Sequence, residues 1–71
     1  FIVSGNTSLD EVSELIGIRL ESPDFHTIGG VVFGLFGRLP KEGEQIRYHD
    51  LRFLVLAMDG RKVAKIKITK L

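Results

Sequence analysis

The residues best placed for chemistry cluster at Thr27, Gly29, Gly30, Gly34 and Gly37. Backbone N–H groups left bare at the start of a helix bind phosphate, and glycines let a ligand approach them. The spacing fits neither the G-x-x-x-x-G-K-[ST] loop nor the G-x-G-x-x-G fingerprint. A helix that begins at Thr27 could still hold an anion on its first N–H groups, so Thr27, Gly29 and Gly30 are the candidate ligand-binding residues. The competing reading is structural. Thr27 would occupy one donor as an N-cap. Each glycine inside a helix costs about 1 kcal/mol against alanine, a cost that close approach by a neighbour would justify. Gly30 and Gly34 also have the spacing of a membrane helix-pairing motif, but the longest apolar stretch, residues 27–37, is too short to span a bilayer.

The other reactive side chains are scattered. The two histidines, His26 and His49, cannot hold a metal without carboxylate help, and both read as polar loop residues. Ser4, Ser8 and Ser13 have no His–acid partners at suggestive spacing. Asp10, Glu11 and Glu14 lie on a solvated helix face and do not read as a general acid–base pair. The absence of cysteine removes thiolate chemistry, disulfides and thiolate metal sites. The expectation is a domain without catalytic residues or a metal site.

The elements that position these residues follow from local pattern. Phe1-Ile2-Val3, ahead of Ser4-Gly5-Asn6, reads as a strand and a turn. Ser8-Leu9-Asp10-Glu11 is a capping box, and Leu9, Val12, Leu15 and Ile16 form one apolar helix stripe that stops at Gly17. Ile18-Arg19-Leu20-Glu21 alternates and predicts a strand with Ile18 and Leu20 inward, broken by Ser22-Pro23-Asp24. Ile28, Val31, Val32, Leu35 and Phe36 repeat at helical spacing between Thr27 and Gly37, and Leu39-Pro40 forbids continuation. Pro40-Lys41-Glu42-Gly43 is a turn. The remainder predicts an antiparallel meander over 45–49, 51–58 and 61–69, with hairpin turns at His49-Asp50 and at Asp59-Gly60. The order β-α-β-α-β-β-β gives an α+β two-layer sandwich, a mostly antiparallel sheet with two helices on one face.

Register then divides the sheet. Turns at those positions place Ile46, Tyr48, Leu51, Phe53, Val55, Ala64, Ile66 and Ile68 on one apolar face, the side under the helices. The opposite face carries Leu54, Leu56, Met58 and Val63 as an apolar patch. Arg47, Arg52 and Lys67 are expected side by side across three strands, with Lys65 further along. One reading is a solvated basic face whose aliphatic stems cover the leucines. The other is a contact face with an apolar centre and a cationic rim. A nucleic-acid surface fits poorly, because Tyr48, the one plausible stacking aromatic, points to the core.

Composition narrows the class. The chain has 71 residues, 44% hydrophobic and 27% charged, an ordinary globular balance for one small domain. Net charge is +1, but it is segregated: residues 1–43 carry three basic against six acidic residues, and residues 44–71 carry seven against three. Such a dipolar domain could dock against a copy of itself. The chain opens on Phe1 rather than methionine and reads as a domain of a longer protein. No amphipathic membrane-seeking segment supports a pore-forming toxin.

Thr27-Ile28-Gly29-Gly30-Val31-Val32, Gly37-Arg38-Leu39-Pro40 and Gly43-Glu44 resemble the central motifs of the transporter-associated domain of the CorC/HlyC family. Val3-Ser4-Gly5, Leu9-x-x-Val12-x-x-Leu15, Phe53-Leu54-Val55 and Asp59-Gly60-Arg61-Lys62-Val63 extend the resemblance over nearly the whole chain. His26, where an acid is common, and Phe33-Gly34, where a Leu-Glu pair is typical, depart from it. The resemblance implies a non-catalytic C-terminal module of hemolysin-like membrane proteins linked to magnesium and cobalt efflux. It implies a place behind a membrane domain and paired CBS domains, on the cytoplasmic side of the cell membrane, with those domains as partners; the segregated charge adds a homodimer as a further option. It also implies a flavin dinucleotide as the candidate cofactor; the residues would suit a flavin or adenine dinucleotide, with the helix start at Thr27, Gly29 and Gly30 and the basic face contacting its phosphates. A fold of this size lacks room to enclose an isoalloxazine ring.

Overall fold

A computed structural model describes residues 1–71. The elements are β1 (Ile2–Ser4), α1 (Leu9–Ile16), α2 (Ile28–Phe36), β2 (Gln45–Tyr48), β3 (Leu51–Asp59) and β4 (Lys62–Lys70). The four strands form one antiparallel sheet in the order β1-β4-β3-β2, so the first strand closes against the last. Both helices lie on one face, as the α+β two-layer reading expects.

The two helices start side by side and cap each other. The Leu9 N–H donates to the His26 carbonyl and the Ile28 N–H to the Thr7 carbonyl, each at 3.0 Å. Ser8 Oγ accepts from the Glu11 N–H at 3.2 Å and Thr27 Oγ1 from the Gly30 N–H at 3.3 Å, so both expected N-caps form. Gly17 and Gly37 end the helices at φ 74° and 69°, a conformation that costs glycine little. Apolar residues of α1 and α2 share one core with Val3, Leu51, Phe53, Val55, Ile66 and Ile68.

Two expected elements need correction. Residues 18–21 do not form a strand. The alternation reported burial rather than a ladder: Leu20 is 6% exposed, and its N–H donates to the buried Ser13 Oγ at 2.9 Å instead of to a neighbouring strand. The second hairpin turns at Gly60-Arg61, not at Asp59-Gly60, because Asp59 pairs with Lys62. Gly60, at φ 60°, takes the first loop position, the pattern of a type II′ turn. The hairpin at His49-Asp50 is as expected, with Tyr48 opposite Leu51 and His49 at φ 53°.

The shifted turn is followed by two compensating irregularities. Pairing runs from Met58–Val63 to Ala57–Lys65 to Val55–Ile66, skipping Ala64 on one strand and Leu56 on the other. The Ala64 carbonyl instead accepts from the Gly5 N–H at 2.9 Å. Alternation flips across the bulge, so Val63, 5% exposed, lies in the core, and Met58 opposite it packs against the core too. Val63 and Met58 therefore leave the outer patch to which sequence assigned them. Ala64 is only partly buried.

Candidate functional site

The start of α2 uses its donors for architecture. The Ile28 N–H goes to Thr7, the Gly29 N–H to the Gly5 carbonyl at 2.9 Å, and the Gly30 N–H to Thr27 Oγ1. A Cβ on Gly29 would lie 2.8 Å from the Gly5 carbonyl oxygen and 2.9 Å from that of Val63. Gly29 thus lets α2 touch the backbones of both the β1 turn and β4. A Cβ on Gly30 or Gly34 would instead meet the Phe25 ring, at 2.8 and 2.5 Å. Gly30-x-x-x-Gly34 is a seat for an aromatic ring, not for a second helix. The hollow before this helix start, which Arg61 and Lys62 also line, is about 260 Å³. Small-molecule sites run about 300–1,000 Å³. Thr27, Gly29 and Gly30 therefore fit a dinucleotide phosphate poorly, since all three leading N–H donors are already committed.

The Arg38–Glu44 segment is equally structural. The Arg38 guanidinium grips the Glu44 carboxylate through both nitrogens, one at 2.9 Å, and the Lys41 N–H donates to the same carboxylate at 2.8 Å. Those bonds hold the Glu44 carboxyl at about 2, with the Arg38 hydrogen bond the largest cause and the Lys41 N–H next. The Glu42 carboxylate accepts from the Met58 N–H at 3.1 Å, pinning the same loop to β3. Larger hollows of about 620 and 510 Å³ flank residues 18–26, and neither contains a cluster of metal ligands.

The sheet face away from the helices is a further candidate. Leu54 and Leu56 are half-buried there and are not part of the core. One row crosses all four strands as Ile2, Lys67, Leu54 and Gln45. The next runs Thr69, Arg52 and Arg47, so Lys67 lies diagonal to the arginine pair instead of in line with it. Lys65 stands beyond, between Ser4 and Ala57. Arg47 directly faces Arg52, a like-charge pairing that costs a few tenths of a kcal/mol. Arg47 is also oriented by donating from Nε to the His49 carbonyl at 3.0 Å. Arg47, Arg52, Lys65 and Lys67 are exposed, and none has a carboxylate within ion-pair distance. Sequence reasoning missed Ile2, which is 62% exposed on this face. Its signal was the exposed–buried–exposed alternation around Val3, which needed β1 to be placed beside β4 before it could be read.

Fold and surface together define a small α+β module with a basic, partly apolar open sheet face. The chain matches the transporter associated domain of the CorC/HlyC family over residues 1–71 and belongs to that family. It is 32% identical over 69 residues to the magnesium and cobalt efflux protein CorC of Pasteurella multocida, covering 97% of this chain and 23% of that protein. It is 35% identical over 72 residues to hemolysin C of Brachyspira hyodysenteriae, covering all of this chain and 27% of the relative. The chain thus spans about a quarter of these curated relatives. Among solved structures, the transporter associated domain from Nitrosomonas europaea aligns with TM-score 0.90 at 25% identity, covering 99% of this chain and 85% of that one. A domain from a Xylella fastidiosa hemolysin, described as a complex with Mg2+ and Mn2+, aligns with TM-score 0.86 at 27% identity, covering 100% of this chain and 86% of that one. This chain covers 85% and 86% of those two solved chains, so each of those domains was solved with little else attached. No helix is long and apolar enough to cross a membrane.

Proposed function

We propose that this domain is a non-catalytic interaction module of a hemolysin-like membrane protein, and that it modulates magnesium or cobalt efflux from the cytoplasmic side. It docks through its open sheet face onto other parts of the transporter, the CBS and membrane domains. Family membership supports the transporter context. The single observation that carries the docking role is the face itself: Leu54 and Leu56 surrounded by four cations that no carboxylate of this chain neutralises. An apolar centre with a charged rim is the composition of a protein contact. The apposed arginines fit this role, since a partner carboxylate would relieve their repulsion.

The test is Leu56→Asp in the full-length transporter. Leu56 sits outside the core, so the isolated domain should keep its circular dichroism spectrum and its melting temperature within a few degrees. Assembly of the module with the rest of the transporter should weaken at least tenfold, and efflux control should change with it. Unaltered assembly would remove this face as the docking site.

A further inference from the structure

We infer that the open sheet face of one module receives helix α1 of a second copy, in a head-to-tail contact. The inference rests on the open face being a docking surface and names one occupant for it, in competition with the transporter's other domains.

Three observations carry it. The first is charge complementarity within one chain. The exposed side of α1 presents Glu11 and Glu14, neither of which pairs with a cation of its own chain. Asp10, by contrast, is partly neutralised by Arg19 at 3.5 Å. The open face presents Arg47, Arg52 and Lys67, also unpaired. The second is apolar complementarity. Leu15 is 51% exposed, although it continues the spacing of the buried stripe, and it stands one turn along from Glu11. An exposed leucine beside two free carboxylates is the counterpart of leucines beside free cations. The third is shape. An eight-residue helix is about 12 Å long, and four strands span about 14 Å, so α1 can lie across the rows that hold Leu54 and the arginines.

The two poles lie on opposite sides of the molecule, because α1 covers the other face of the sheet. A copy therefore cannot satisfy its own cations. It offers one pole of each kind to neighbours, so the contact is heterologous and can extend beyond a pair. Contacts of this kind are weak, fast and salt-sensitive.

Sedimentation of the isolated domain at high concentration and low salt tests this with two charge-reversed variants. The first carries Glu11→Lys and Glu14→Lys, the second Arg47→Glu and Arg52→Glu, and circular dichroism confirms the fold of each. Wild type should self-associate, and 1 M salt, where the Debye length is about 3 Å, should abolish the association. Each variant alone should sediment as a monomer. Mixing the variants in equal amounts should restore association, since each supplies the pole that the other has inverted. Leu15→Asn should weaken the wild-type association at least threefold. A monomeric wild type, a variant that still self-associates, or a mixture that stays monomeric would each overturn the proposal. None of these outcomes bears on Leu56→Asp in the full-length transporter, so the docking reading stands or falls separately.

Discussion

The two faces of this sheet come from the same strands and do opposite things with their alternation. On the covered face Phe53, Val55, Ile66 and Ile68 are enclosed beneath α1 and α2, with no charged group among them. On the open face Leu54 and Leu56 stay half-buried, Ile2 is exposed, and Arg47 is set against Arg52. Burial on the first face holds the domain together. The second face keeps an arrangement that folding alone would not favour, since like charges apposed on a sheet are destabilising. The difference places stability on one side and leaves the other free for the docking proposed above.

Truncating an apolar residue on each side separates the two faces most strongly. Phe53→Ala should cost about 3–5 kcal/mol and leave much of this small domain unfolded. Leu54→Ala, the neighbouring residue on the open face, should cost about 1 kcal/mol or less. Urea titrations of both variants measure the gap, and equal losses would mean that the faces are not different in kind.

A smaller effect is expected where the covered side meets α2. Gly29→Ala places a Cβ within 2.9 Å of two backbone carbonyl oxygens, which cannot move as a flexible side chain can. It should cost about 1–3 kcal/mol without altering the open face. Thermal melts read the loss, and amide chemical shifts on β2 and β3 report whether the face is intact.

The smallest effect belongs to the loop that joins α2 to β2, and it isolates that loop from both faces. The Glu44 carboxyl is depressed from 4.5 to about 2 in the folded state, chiefly by the Arg38 hydrogen bond. A depressed carboxyl stabilises the fold above its unfolded value and loses that contribution as pH falls through the folded value. Wild type should therefore lose stability between about pH 4.5 and pH 2, and Glu44→Gln should flatten that stretch of the melting-temperature curve. Parallel curves for the two proteins would show that the Arg38–Glu44 clamp does not contribute.

Much of the architecture was legible because it is written locally. Ser8 and Thr27 announce helix starts, Gly17 and Gly37 announce stops, and the His49-Asp50 turn sets the register of β2. The parts that were not legible depend on distant partners. The Gly60-Arg61 turn and the bulge at Ala64 are tied to Gly5, whose N–H donates to the Ala64 carbonyl and whose missing side chain admits the Val63 carbonyl oxygen. No pattern within residues 51–70 contains that contact, so alternation alone puts Val63 and Met58 on the wrong side. Residues 18–21 alternate like a strand, yet Ser13, seven residues before Leu20, takes the Leu20 N–H. Alternation gives the side of the sheet on which Arg47, Arg52, Leu54, Lys65 and Lys67 lie, but not the row of Arg47, Arg52 and Lys67, because Lys67 pairs with Leu54 instead. Ile2 joined them only once β1 was placed beside β4.

The most direct measurement is a map of amide chemical shifts on the isotope-labelled module as the remainder of the full-length transporter is titrated in. If the open face is the docking surface, perturbations should concentrate on β1, β3 and β4 around Ile2, Leu54, Leu56 and Lys67, while the helix-side residues around Val31 and Leu35 stay still. Perturbations confined to the helical side, with Leu54 and Leu56 unmoved, would contradict it.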